Sequence, residues 1–378
     1  MKTMHKIMTA ALLAHTLTFC FPSVPAATAA GTASDAAGNA AGTQKDVREA
    51  KLPNVKILAT GGTIAGVAAS NTATTGYSIG STTVDTLIKA VPEMKSIANV
   101  SGEQIANVGS PDITNDTLLA LGKRINVLLS SSDVDGVVVT HGTDTLEETA
   151  YFLNLVVKSE KPVVVVGAMR PSTAISADGP MNLYNAVKLA GSEEAKGKGA
   201  LVLLNDRIGA ARFITKTHTT SLDTFKSVED GYLGMISGGK IHFYSESTRK
   251  HTVDSKFNIE YLSELPQVDI LYSYQNDGEY LYKAAVEAGA KGIVIAGSGD
   301  GSLSKKGEAG AKAAQEAGAV IVRSSRTGGG TVTHSAQDDE KKFVTSDSLN
   351  PQKARILLML ALASTNDPAR IQQFFDEY

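Results

Sequence analysis

From Leu52 onward the chain alternates two textures. Short runs of aliphatic and β-branched residues are followed by longer stretches whose apolar positions recur every three or four residues. The short runs predict strands at Val55–Ala59, Gly136–Thr140, Pro162–Val166, Ala200–Leu204, Val268–Tyr274, Gly292–Ala296 and Ala319–Arg323. The longer stretches predict helices at Val84–Lys89, Thr114–Leu129, Asp144–Lys158, Pro180–Ala190, Tyr280–Ala288, Ser304–Ala317 and Asn350–Ala363. Strands that are apolar throughout, separated by amphipathic helices, indicate parallel sheets covered on both faces. The expected fold is therefore α/β in two domains. A larger N-terminal domain at 52–244 has a mostly parallel sheet with helices on both faces, and a smaller parallel α/β domain occupies 267–378. The polar, aperiodic stretch SESTRKHTVDSKFN suits a linker at 245–266.

The N-terminus departs from this pattern. Met1–Lys6 is basic, Ile7–Pro25 is mostly apolar, and Ala27-Thr28-Ala29 offers a small-residue cleavage site. That three-part order predicts a cleavable secretory signal peptide at 1–29 and export to the periplasm. His15, several threonines and Pro22 interrupt the apolar run, which argues against a membrane anchor. Residues 30–51 are Ala, Gly, Ser, Thr and Asp without periodicity and read as a disordered leader. The only cysteine, Cys20, lies inside the signal segment, so the mature chain has no thiol for catalysis, disulfides or metal. The formal charge of −3 and the lack of basic tracts argue against nucleic acid as a partner.

The chemistry concentrates in two runs, VKILATGGTIAG at Val55–Gly66 and GVVVTHGTDTLEETAYFLNLV at Gly136–Val156. Each begins as a strand and breaks into Gly and Thr, which delivers hydroxyls to the C-terminal edge of a parallel sheet, where open α/β folds place their ligands. Gly61 and Gly62 permit a sharp bend and close backbone approach, leaving Thr63 at the turn. No Gly-Lys-Ser/Thr follows and no GxGxxG is present, so a phosphate cradle is disfavoured. On this run alone, a purely structural turn explains Thr60 and Thr63 as well as a catalytic one does. The second run puts His141, Thr143, Asp144 and Thr145 on one strand-to-helix turn. Thr145 or Asp144 can cap the helix, with Glu147 and Glu148 in its first turn, yet capping does not require the whole cluster.

A hydroxyl nucleophile needs an adjacent base. No G-x-S-x-G follows a strand, as a serine-hydrolase elbow would, and the other base candidates are a lysine and a tyrosine. Lys216 in ARFITKTHTT and Tyr77 in the Gly-rich TTGYSIG are the candidates, although a lone lysine is most often a solvated surface charge. The histidines show no HExxH and no metal-ligand spacing, so no metal is expected, and His141 reads as a structural hydrogen-bonding residue.

Taken together, LPNVKILATGGTIAG, VDGVVVTHGTDTLEETAYFLNLVVKSEKPVVVVGAMRPSTAISADGPMNLYNAV, LNDRIGAARFITKTHTTSLDTFKS and SDSLNPQKARILLMLAL resemble the bacterial type II, periplasmic L-asparaginases and glutaminase-asparaginases over nearly all of 52–378. The resemblance implies hydrolysis of the side-chain amide of L-asparagine, with lesser activity on L-glutamine, without a cofactor. It matches Thr63 to the primary nucleophile and Tyr77 to a loop tyrosine that closes over the site. It matches Thr143, Asp144 and Lys216 to a second catalytic cluster. Substrate contacts would fall to Gly62, Ser110, Pro111, Thr143, Asp144 and Ala168. Within these, Asp144 would hold the α-amino group, Ser110 the α-carboxylate, and the Ala168 carbonyl would face the leaving amide. The proton route from Thr63, through Tyr77 or through water and the Thr143–Lys216 pair, stays open at this level. The family's assembly implies a homotetramer with sites between paired subunits.

Three positions depart from the family pattern. Pro111 follows Ser110 where many members carry Gln or Glu. Asp300 stands where some have an Asn that reaches a neighbouring subunit's site, and Gln337 falls near a position where some have Glu. A changed acid or amide would alter discrimination between Asn and Gln without touching the nucleophile. Two other readings remain: a glutaminase-asparaginase with comparable activity on both amides, and an exported amino-acid-binding protein.

Overall fold

The computed structural model describes residues 51–78, 80 and 82–378. The predicted signal segment and all but the last residue of the predicted leader lie outside them. Every predicted strand and helix is present, with ends shifted by a residue or two.

The strands are β1 (Asn54–Gly61), β2 (Asn99–Val108), β3 (Gly136–Thr140), β4 (Val163–Val166), β5 (Ala200–Leu204), β6 (Arg207–Ala210), β7 (Thr215–Lys216), β8 (Phe225–Lys226), β9 (Gly234–Ser237), β10 (Lys240–Phe243), β11 (Val268–Tyr272), β12 (Gly292–Gly297), β13 (Val320–Ser325) and β14 (Val344–Thr345). The larger sheet runs in the order β10-β9-β6-β5-β4-β3-β1-β2. Its β2-β1-β3-β4-β5 portion is parallel, and β6, β9 and β10 extend it by antiparallel pairing. A second, fully parallel sheet runs β11-β12-β13-β14, and β7 and β8 form a separate two-stranded ribbon.

The helices are α1 (Val84–Ala90), α2 (Asn115–Ser130), α3 (Leu146–Val156), α4 (Gly179–Ala190), α5 (Tyr280–Glu287), α6 (Lys305–Glu316), α7 (Ala336–Lys341), α8 (Pro351–Leu362) and α9 (Pro368–Glu377). Alternate strand residues separate two cores, because successive side chains leave a strand on opposite faces. Ile57, Val138, Val164 and Leu203 pack with α1 and α4 on one face. Leu58, Val137, Val139 and Val165 pack with α2 and α3 on the other. That second core continues through Ile356, Leu357 and Leu360 of α8 to Val294 and Val322 of the smaller sheet. Helix α8 thus packs between α3 and strands β11 and β12.

The sequence pattern missed elements that lack its usual signal. Strand β2 (NVSGEQIANV) has no buried residue, because it is the sheet edge. The segment expected to be a linker is also better packed than its polarity suggests. Phe257, Ile259 and Leu265 are buried, and Phe257 packs its ring against Phe374 and Tyr378. These anchors are spaced irregularly, so they leave no period to read.

Burial also leaves titratable groups with opposed effects on stability. Glu148 of α3 lies 3.7 Å from Arg355 of α8. Burial pushes its carboxyl up from 4.5 to about 7, with Arg355 opposing and the Glu147 charge adding to the rise. An acid whose folded pKa is raised stabilises most below its unfolded value and loses that contribution as pH climbs toward 7. His141, wholly buried, is pushed down from 6.5 to about 4, so its contribution runs the other way, present above 6.5 and lost as pH falls. Comparing Glu148→Gln with wild type cancels the His141 effect. The stability of the variant relative to wild type should rise between about pH 4.5 and pH 7.5, by on the order of 2 kcal/mol. Denaturant melts across that range measure it, and a pH-independent difference would refute the assignment to Glu148.

Candidate active site

The site forms where β1 and β3, hydrogen-bonded neighbours, both end in glycine turns. Gly61 and Gly62 have φ of +109° and +82°, a region that penalises any Cβ. A Cβ on Gly62 would lie 2.3 Å from the Cα of Gly142, and one on Gly61 2.4 Å from the carbonyl oxygen of Val108. The two turns therefore touch backbone to backbone. Their next residues are Thr63 and Thr143, 6% and 5% exposed.

Two hydroxyl clusters result. Thr63 Oγ1 and Tyr77 Oη share a hydrogen bond of 2.5 Å. The Tyr77 ring closes over Gly66, where a Cβ would come within 2.9 Å of it. In the second cluster Lys216 Nζ donates to Thr143 Oγ1 at 2.9 Å and pairs with Asp144 Oδ1 at 2.5 Å. The lysine is therefore no surface charge: its side chain is 15% exposed, whereas Asp144 stands at the rim with 64% exposed.

The remaining candidates border these groups. Ser110 is buried, and a Cβ on Gly142 would meet its side chain at 2.9 Å. Its carbonyl accepts from Thr145 Oγ1 at 2.8 Å. Thr145 is the N-cap residue of α3, one of the two expected there, but that bond occupies its hydroxyl, and neither Thr145 nor Asp144 bonds the helix's free amides through its side chain. Pro111 follows Ser110 in an exposed turn. Ala168 is buried beside Gly167, where a Cβ would lie 3.0 Å from Thr143 Cγ2. His141 has the structural role expected of it, Nδ1 against the Gly142 carbonyl and Nε2 against Thr149 Oγ1. Asp300 and Gln337 lie elsewhere. Asp300 accepts from the Thr333 amide, its carbonyl accepts from Arg323, and Gln337 borders a small cavity with Arg323. Among the described residues neither bonds to the Thr63 or Thr143 clusters.

The sequence reading missed Asp178. Its carboxylate accepts from the amides of Met169 and Arg170, at 2.9 Å each, and fixes the turn that carries Ala168. The Asp-Gly-Pro start of α4 was a visible signal, but it points to an N-cap, and Asp178 makes no side-chain cap bond.

Buried threonine hydroxyls, a tyrosine, a partly buried lysine and a rim carboxylate gather at the C-terminal edge of a parallel sheet on a two-sheet α/β fold, an arrangement suited to amide hydrolysis. Residues 54–249 match the family described as Asparaginase, N-terminal, and residues 267–375 the Glutaminase/Asparaginase C-terminal domain. The chain is 67% identical over 327 residues to L-asparaginase 2 of Bacillus subtilis, covering 86% of this chain and 87% of the relative. It is 49% identical over 331 residues to the glutaminase-asparaginase of Pseudomonas fluorescens, covering 87% and 91%. The crystal structure of a probable cytoplasmic L-asparaginase from Campylobacter jejuni superposes with a TM-score of 0.85 at 52% identity, covering 86% of this chain and all of that one. The chain belongs to the asparaginase family, and it is an amidohydrolase.

The glycine contact yields a direct test. Gly62→Ala should destabilise the protein by about 2 kcal/mol or more and depress turnover with it, because the turns must separate to admit the methyl group. A thermal melt and an ammonia-release assay read both, and an alanine variant with a wild-type melt would refute the close approach.

Proposed function

We propose that the chain hydrolyses the side-chain amide of L-asparagine to L-aspartate and ammonia, with lesser activity on L-glutamine. The observation that carries this reading is the pairing of two hydroxyl clusters, Thr63–Tyr77 and Thr143–Lys216–Asp144, on turns locked together by Gly62 and Gly142. Thr63 Oγ1 attacks the amide carbon, and Tyr77 Oη, 2.5 Å away, is the nearest acceptor for its proton. Tyr77 relays that proton to the amide nitrogen, the C–N bond breaks as ammonia leaves, and the acyl group remains as an ester on Thr63. Water then hydrolyses the ester, with Thr143 and Lys216 handling the proton at the second cluster. Backbone N–H groups of the two turns are the natural donors to the developing oxyanion.

Exposure supports a division of labour. The carboxylate of Asp144 at the rim can receive a substrate ammonium, while Ser110 beneath Gly142 can donate to its α-carboxylate. The Ala168 carbonyl, on the turn held by Asp178, would face the leaving amide. The name of the Pseudomonas relative favours a second reading, comparable turnover of asparagine and glutamine. Export through the N-terminal segment and assembly as a homotetramer with sites between paired subunits complete the proposal. Cell fractionation with the mass of the mature N-terminus tests the first, and light scattering tests the second.

Thr63→Ala should lower ammonia release from asparagine by about a thousandfold or more while leaving asparagine binding, followed by calorimetry, within about tenfold. Retained turnover would remove Thr63 as the nucleophile. Pro111→Gln adds a side-chain amide beside the proposed ammonium site, and should shift the ratio of kcat/KM for asparagine over glutamine by on the order of tenfold. An unchanged ratio would show that Pro111 does not contribute to selection.

A further inference from the structure

Lys216 sits on a ribbon too short to hold itself. Strand β7 is two residues long and pairs only with the two residues of β8. The stretch before it is instead gripped from the C-terminal part of the chain. Lys353, in the first turn of α8 and 2% exposed, donates from Nζ to the carbonyl of Arg212 at 2.9 Å and also to that of Ile214. Glu147, 4% exposed in the first turn of α3, accepts from Thr215 Oγ1 at 3.0 Å. Asn350 Nδ2 donates to Glu147 Oε2 at 2.9 Å, Gln352 Nε2 donates to Glu147 Oε1 at 3.2 Å, and Lys353 Nζ lies 3.6 Å from Glu147 Oε2.

None of these groups has a part in the chemistry proposed above, yet each ends within four residues of Lys216, Thr143 or Asp144 in sequence. A buried ion pair is a poor way to gain stability, since an apolar pair of similar volume often does as well or better. Its directional bonds do suit fixing one segment relative to another. Here the fixed segments carry the two ends of one contact, Thr143 on the turn leading into α3 and Lys216 on β7.

We propose that Glu147, Asn350 and Lys353 are positioning residues that act through Thr215 and the Arg212–Ile214 backbone to hold Lys216 Nζ on Thr143 Oγ1. The C-terminal part of the chain thereby sets the geometry of the second cluster. The proposal rests on the assignment of Lys216 to the catalytic machinery.

Thr215→Val isolates the effect, because it deletes the hydroxyl that Glu147 and Asn350 hold while preserving side-chain shape. A displaced lysine should cost kcat on the order of tenfold while KM for asparagine stays within about twofold. Thr215→Ser, which keeps the hydroxyl, should retain kcat within about twofold of wild type. The deciding measurement is a double-mutant cycle with Lys216→Met, each variant first shown by circular dichroism to be folded at the assay temperature. If Thr215 acts through Lys216, the Thr215→Val penalty should nearly vanish in the Lys216→Met background. Penalties that multiply, or a Thr215→Val enzyme with wild-type kcat beside a disabled Lys216→Met enzyme, would overturn the positioning role alone. A Lys216→Met enzyme with wild-type kcat would overturn the assignment of Lys216, and the positioning role with it.

Discussion

The backbone contact between Gly62 and Gly142 is the constraint on which the site depends. Two strands end side by side, and the chain must reverse out of each without driving the turns apart. A side chain at either glycine would have to occupy space already filled, by the Gly142 Cα in one case and by Ser110 in the other. Because both turns lack side chains at the contact, the residues that follow, Thr63 and Thr143, are delivered to one place. Ser110 is wedged against the same glycine, and Gly167 brings Ala168 alongside Thr143. Thr63, Thr143, Ser110 and Ala168 are therefore placed by main-chain contacts that leave little freedom, the kind of preorganisation that hydrolytic chemistry requires.

Main-chain contact cannot place Lys216, which arrives from a short ribbon outside the main sheet. Its ammonium must be kept on Thr143 while partly withdrawn from water, with Asp144 as its counter-charge. The segment leading to it is held by a buried lysine and a buried glutamate, groups whose unpaired burial would each be strongly unfavourable. Burial pushes the Lys353 amine down to about 8, with the Glu147 charge opposing, so the pair needs its full set of hydrogen bonds to persist. Such an arrangement tolerates little drift. The same property that makes it a weak source of stability makes it a strict one of geometry.

Strand and helix patterning showed in the sequence wherever burial was regular. The strands β3, β4, β5 and β12 are covered on both faces and read as continuous apolar runs. Strand β2 and the strap around Phe257 and Ile259 were missed because their burial follows no period. The two Gly/Thr turns were equally visible as turns, but whether they were structural or chemical depended on groups far along the chain. Tyr77 comes from a loop that Gly66 lets approach closely, and Lys216 lies 73 residues beyond Thr143. Asp178 and Glu147 illustrate the remaining limit. Both sit where acids favour helix starts, a local explanation sufficient in itself, and only their long-range partners show that each holds another segment.

The exposure of the site residues separates what can vary from what cannot. Thr63 and Thr143 lie almost fully buried, where charges and dipoles act through a medium far less polarisable than water and small displacements change energies steeply. Asp144 and Pro111 face solvent, and neither packs into the contact between the glycine turns. Substitution at the rim can therefore change which amino acid is retained while leaving the Thr63–Tyr77 pair intact. A longer substrate with the same head group places its amide one methylene deeper or forces its ammonium outward. A rim that supplies one carboxylate and a proline has fewer fixed acceptors with which to resist either shift than one that also supplies an amide oxygen. On the proposed assignment, selection between the two amides would therefore turn on how firmly the rim holds the α-amino group, while the buried clusters would impose the common chemistry on whichever substrate is held.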